Sequence, residues 1–142
     1  MFHDKWHFRF QELAMHISKW SKDPSTQVGA VIVNPDRVIV GTGYNGFARG
    51  VEDSEERLSS REEKYPRVIH AEINAILNAN GSVKGCVLYT WPFPCCCPCS
   101  ALVIQAGIKM VVSPASIPDR WKETVDMGIK MYREAAVRVR LL

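Results

Sequence analysis

His70, Glu72, Cys96 and Cys99 are the residues of this sequence best suited to chemistry. An imidazole and two thiolates are donors that zinc gathers into a tetrahedron, and three protein ligands leave the fourth position open to water. Cys96-Cys97-Pro98-Cys99 has the two-residue spacer common among zinc thiolates. A purely structural centre, as in a zinc-bearing binding module, is satisfied by four protein ligands and has no use for an acid beside it. Glu72 therefore points to catalysis, in which Zn2+ acidifies a water and a carboxylate moves protons. The crowding of Cys95, Cys96, Cys97 and Cys99 leaves the register open. Cys95 with Cys99 would also bring two sulfurs together, while Cys96 with Cys99 is the favoured pair.

The elements that must position these groups follow from periodicity. Residues i and i+2 do not share a helix face, so His70 and Glu72 can serve one site only if it lies off a helix end. Helical spacing through Ile69, Ile73, Ile76 and Leu77, stopping at Gly81, predicts a helix over 69–80 with the triplet at its start. Pro98 is tolerated in a first turn but not in an interior, so a second helix is predicted over 98–105, with Cys99 in its first turn and Cys96 in the loop before it. Helix starts carry partial positive charge, which stabilises thiolates.

The rest of the chain supplies the frame. Phe10, Leu13, Ala14, Ile17 and Trp20 mark an amphipathic first helix beginning near Trp6. Runs over 28–33 and 38–41, separated by Asn34-Pro35-Asp36-Arg37, predict an antiparallel hairpin. Strands are expected over 86–91, 108–112 and 137–141, with a last helix over 119–135 after Pro118. Residues 45–67 show little periodicity and are expected to be a long functional loop, its 52–63 part solvated and mobile. The order predicts an α/β fold, a three-layer α-β-α sandwich around a mixed, roughly five-stranded sheet.

The 142 residues, 46% of them hydrophobic, are expected to form one domain with its own core. Eighteen basic against 15 acidic residues, with no long basic run, leave no footprint for a nucleic-acid polymer. Neither a signal-peptide core nor a membrane-spanning stretch is present, so a cytoplasmic location is expected. Five cysteines, four of them clustered, read there as metal ligation or redox chemistry rather than a disulfide framework. Lys22, Arg49 and Arg120 are the cations offered for a small anionic ligand, Arg120 foremost, with Ser25 and Thr26 as hydroxyl donors.

His70-Ala71-Glu72 followed by Cys96-Cys97-Pro98-Cys99 resembles the cytidine and deoxycytidylate deaminase superfamily, whose signature is a known one for zinc deaminases. The 22–30 segment Lys22-Asp23-Pro24-Ser25-Thr26-Gln27-Val28-Gly29-Ala30, the stretch Gly43-Tyr44-Asn45-Gly46-Phe47 and the run Ile104-Gln105-Ala106-Gly107-Ile108 look like deoxycytidylate deaminases in particular, over about Phe10 to Val112. One departure is visible: the family usually has Pro directly before the first zinc cysteine, where this chain has Cys95. The resemblance implies a cytidine deaminase-like fold, His70, Cys96 and Cys99 as ligands, and Glu72 as the proton shuttle. The implied reaction is dCMP to dUMP plus ammonia, feeding dTTP synthesis. Asn45 and Ala71 are implied to meet the substrate. The resemblance also implies a homo-oligomer, commonly a hexamer, activated by dCTP and inhibited by dTTP through the segment with Asn45, Gly46, Phe47 and Arg49, with Mg2+ on the triphosphate. Deaminases of free nucleosides, of guanine or of an adenosine in transfer RNA share the chemistry and are the alternatives. His3, His7 and His16 on the first helix are expected to play core or surface roles, with no second zinc site.

Overall fold

The computed structural model describes residues 2–142. Helix α1 (Asp4–Ser18) begins at His3, whose ring accepts from Lys5 N at 3.2 Å, and buries Phe10, Ala14 and Ile17 on one stripe. That stripe covers one face of a sheet through Val31 and Val33 of β1 (Gly29–Val33), Val87 and Tyr89 of β5 (Val87–Trp91), and Met110 and Val112 of β6 (Met110–Ser113). Successive strand side chains point to opposite faces. Ala30, Ile32, Leu88 and Val111 thus face the other way, onto Ala71 and Ala75 of α4 (Ala71–Asn78), Val103 of α5 (Cys97–Gln105) and Tyr132 of α6 (Asp119–Glu134). The three layers expected from the sequence are present.

Adding β2 (Ile39–Tyr44) and β7 (Arg138–Leu141) gives five strands in the order β2-β1-β5-β6-β7. β1 runs antiparallel to β2 and β5, while β5, β6 and β7 are parallel. A tight turn can join only antiparallel neighbours, so the parallel pairs are the ones linked by helices α5 and α6. His7 lies in the core, its Nδ1 2.9 Å from the buried Tyr89 hydroxyl.

Two glycines let α4 lie directly on β2. A Cβ on Gly41 would fall 2.5 Å from the Ala75 carbonyl oxygen, and on Gly43 it would meet the Ala71 carbonyl oxygen. The outer edge of β2 is closed by the same helix: Asn74 Nδ2 donates to Tyr44 O at 2.9 Å and Asn78 Nδ2 to Thr42 O at 3.0 Å.

The 45–67 segment is not the irregular loop expected but carries short elements of its own. It opens with β3 (Gly46–Phe47), which pairs antiparallel with β4 (Val68–Ile69), so the excursion is closed at its base and delivers the chain directly to His70. Between them lie α2 (Glu55–Ser59), capped by Ser54, and α3 (Arg61–Lys64), capped by Ser60. Each is about one turn, too short to print a 3.6-residue period. α4 also stops at Asn78, before the Gly81 signal, and Gly81 takes φ +112° in the turn beyond.

Candidate active site

His70 is the N-cap of α4 and Cys96 the N-cap of α5; both have extended backbones and neither spends its side chain on a capping hydrogen bond. Their donor atoms are therefore free to converge. Cys99 lies in the first turn of α5, whose start is tied to α6 by Cys97 N donating to Thr124 Oγ1 at 2.8 Å. The nitrogen and sulfur donors of His70, Cys96 and Cys99 all lie within 4.8 Å of one another. His70 Nδ1 is 3.4 Å from Cys96 Sγ and 3.1 Å from Cys99 Sγ. Zn–S and Zn–N bonds in a tetrahedron set such edges at about 3.5 Å, so the set fits a zinc ion with one position open. Cys95 is 2% exposed and packs into the core with Tyr132, and its sulfur is not one of the three converging donors. Cys97 is likewise absent from that group.

The protons of the three donors are interdependent. The adjoining Cys99 thiol, with His70 assisting, holds Cys96 well below the ordinary thiol range, with burial opposing. Cys99 is pushed up by the adjoining Cys96 and by burial. His70 is raised by its hydrogen bond with Cys96, against the effect of burial. A divalent cation must displace the proton of Cys99 and compete with that of His70, which couples metal binding to proton release.

Glu72, in the first turn of α4, is only 4% exposed. Burial raises its carboxyl above the ordinary range, while a hydrogen bond to its own backbone and the nearby His70 ring pull the other way. A buried carboxyl of raised pKa beside a metal-donor set is suited to take up a proton and hand it on.

His70, Ala71, Glu72 and Cys96 line a cleft of about 610 Å³. Ser25, Thr26 and Arg120 line it as well, and Arg120 Nη2 donates to Thr26 Oγ1 at 2.9 Å. Asn45 reaches the same cleft, but its amide is largely engaged: Oδ1 accepts from Val28 N at 2.8 Å and Nδ2 donates to Thr26 O at 2.9 Å. One N–H of that amide remains for a ligand.

Two of the expected anion-binding cations lie elsewhere. Lys22 is outside this cleft and pairs with Asp53 Oδ2 at 3.0 Å on the exposed surface. Arg49 is outside it too and donates to Asn78 Oδ1 at 3.3 Å. Gly46 and Phe47 line a smaller pocket of about 160 Å³ together with Trp20, Lys22 and Asn45. Sequence reading missed Arg61 and Lys64 of α3, and the stacked pair Phe93 and Trp121, with ring centroids 5.8 Å apart, all lining the large cleft. A signal for α3 was available: Ser60 with Glu63 three residues later is the spacing of a capping box.

Residues 4–114 match the family described as cytidine and deoxycytidylate deaminase zinc-binding region. The chain belongs to that family. It is 45% identical over 139 residues to a protein of Aliivibrio fischeri named "uncharacterized deaminase in luxG 3′ region", covering 95% of this chain and 92% of that one. It is 47% identical over 117 residues to the deoxycytidylate deaminase of Mus musculus, covering 76% of this chain and spanning 64% of that protein's length. The fold superposes on a crystal structure of dCMP deaminase from the cyanophage S-TIM5, in complex with dCMP and dUMP, with a TM-score of 0.81 and 26% identity over the whole of both chains.

Proposed function

We propose that this chain hydrolyses the 4-amino group of dCMP, giving dUMP and ammonia. The observation that carries the reading is the position of Glu72, buried beside a three-donor group of which His70 and Cys96 border the cleft. In it, His70, Cys96 and Cys99 hold Zn2+, which when bound lowers the pKa of water and so supplies a nucleophile at neutral pH. Glu72 would take a proton from the attacking water and deliver it to ring N3 as the C–O bond forms at C4, then take the proton of the new C4 hydroxyl and pass it to the amine as the C4–N bond breaks. One carboxyl serves each transfer because it accepts and then donates.

At the other end of the cleft, Arg120 and Thr26, with the Ser25 hydroxyl, receive the 5′-phosphate, and the free N–H of Asn45 meets the sugar or base. The name of the mouse relative and the nucleotides in the phage structure support dCMP as the substrate. The test is ammonia release from dCMP, deoxycytidine and a single-stranded oligonucleotide, each with and without a zinc chelator. Preference for dCMP, lost with the chelator and restored by Zn2+, is expected. Equal use of deoxycytidine or the oligonucleotide overturns dCMP as the substrate.

We also propose that residues 1–142 act as one catalytic domain within a cytoplasmic homo-oligomer, a hexamer by family resemblance. No helix among the described residues is long and apolar enough to cross a membrane. In this reading dCTP activates and dTTP inhibits, each with Mg2+, through the segment that places Asn45, Gly46 and Phe47 at the smaller pocket. Arg49 joins a triphosphate there only by leaving Asn78. A triphosphate shifts the enzyme only if it binds one state better than the other, so the rate against dCMP is sigmoidal, hyperbolic with dCTP and displaced to higher substrate with dTTP. A hyperbola unmoved by either triphosphate overturns the regulation.

A further inference from the structure

One enclosed ion pair joins α3 to the turn that carries Ser25 and Thr26. Lys64 Nζ lies 3.2 Å from each oxygen of Asp23, and the two side chains are only 21% and 8% exposed. By contrast, the Lys22–Asp53 pair is 69% and 42% exposed, and pairs so placed are screened by solvent and salt. Asp23 has a second task. Its Oδ1 accepts from Ser25 N at 2.8 Å and from Thr26 N at 3.1 Å, so the carboxylate that holds Lys64 also folds the turn. Thr26 Oγ1 in turn accepts from Arg120. A continuous chain of contacts therefore runs from Lys64 through Asp23 and Thr26 to Arg120, and all four residues line the large cleft.

This arrangement puts a carboxylate in the cleft near the guanidinium assigned to the phosphate. Without the Lys64 charge, Asp23 would repel a phosphate carrying nearly two negative charges and would compete for Arg120. We propose that Lys64 is a positioning residue for nucleotide recognition: by engaging Asp23 it keeps that carboxylate on the turn and leaves Arg120 free for the 5′-phosphate. The inference rests on dCMP being the substrate. Lys64 has no contact with the metal donors or Glu72 among the hydrogen bonds and ion pairs it makes, so it acts on affinity for the phosphorylated substrate and on the preference for dCMP over deoxycytidine, with little effect on the chemical step.

The test compares zinc-loaded wild type with Lys64→Met, Lys64→Arg and the double variant Lys64→Met/Asp23→Asn, measuring kcat and KM for dCMP and kcat/KM for deoxycytidine, together with zinc content and thermal midpoint. Lys64→Met is expected to raise KM for dCMP about tenfold, to change kcat less than twofold, and to lower the dCMP-to-deoxycytidine preference by about the same tenfold, the size of a modest charge interaction. Lys64→Arg keeps the ion pair and restores KM. The double variant recovers most of the loss, because Asn removes the unpaired charge while its Oδ1 still accepts from Ser25 and Thr26. If Lys64→Met does not fold, Lys64→Gln carries the same comparison. An unchanged preference in Lys64→Met overturns the proposal. So does a double variant as poor as the single one, which would show Lys64 meeting the phosphate directly. A wild type that does not prefer dCMP over deoxycytidine removes the substrate reading itself, and with it any phosphate to recognise.

Discussion

Gly43 of β2 faces Ala71 of α4 so closely that a Cβ on the glycine would fall 2.5 Å from the alanine's carbonyl oxygen. The contact lies at the first residue of α4, between His70 and Glu72, so the depth at which the helix rests on the strand also sets the height of both side chains. Gly43→Ala is expected to lower stability by about 1–3 kcal/mol, as overpacking does, and to reduce zinc occupancy. Calorimetry and zinc stoichiometry check it. Gly46→Ala is the control, since nothing lies within 4 Å of its added carbon.

Glu72→Gln should keep its zinc and lose about two to four orders of magnitude in deamination, the usual contribution of a proton shuttle. Activity left intact in a zinc-loaded variant would remove Glu72 from the mechanism.

The same substitution has an opposite effect on the metal-free protein. Burial raises the Glu72 carboxyl, so its contribution is fully present below the ordinary carboxyl range and is lost as pH rises through the folded value. Glutamine does not ionise. Metal-free Glu72→Gln is therefore expected to exceed metal-free wild type in stability at neutral pH, with the difference vanishing toward about pH 4. Urea denaturation at the two pH values, with a chelator present, measures it.

His70→Ala, Cys96→Ser and Cys99→Ser should each lose zinc and stability together, because metal binding is coupled to folding. Cys95→Ser and Cys97→Ser should retain the metal, since neither sulfur belongs to the donor group. Zinc stripped by Cys95→Ser alone would contradict the register seen here. Acidification should release zinc from the wild type, as protons return to His70 and the thiols.

Arg120→Ala removes a guanidinium that lines the cleft and holds Thr26. Its KM for dCMP is expected to rise about tenfold or more, in line with a charged hydrogen bond, with a smaller effect on kcat. Equal effects on dCMP and deoxycytidine would show that Arg120 serves the turn and not the phosphate.

Where the sequence was legible, the reason is periodicity. The stripe of Phe10, Ala14 and Ile17 and the runs 28–33 and 108–112 declare their elements because each buries enough residues to show a period. Pro98 marks the start of α5 within a residue. The register of the cysteines was not legible from spacing, because four thiols in five positions look alike. The backbone separates them: Cys96 takes the extended N-cap conformation and joins the group with His70 and Cys99, while the side chain before it turns into the core beside Tyr132. The cations were harder. Lys22 and Lys64 are equally plausible in one dimension, and only the folding back of α3 across the turn at Asp23 brings one of them to the cleft and leaves the other at the surface.

The caps that Asn74 and Asn78 place on the carbonyls of Tyr44 and Thr42 make shelf life a property of the metal site. An uncovered strand edge is a template for intermolecular pairing. Here the cover is α4, and α4 begins at His70. Loosening that histidine would loosen the helix that masks β2, so a preparation stripped of zinc is expected to scatter light before its helical signal is lost.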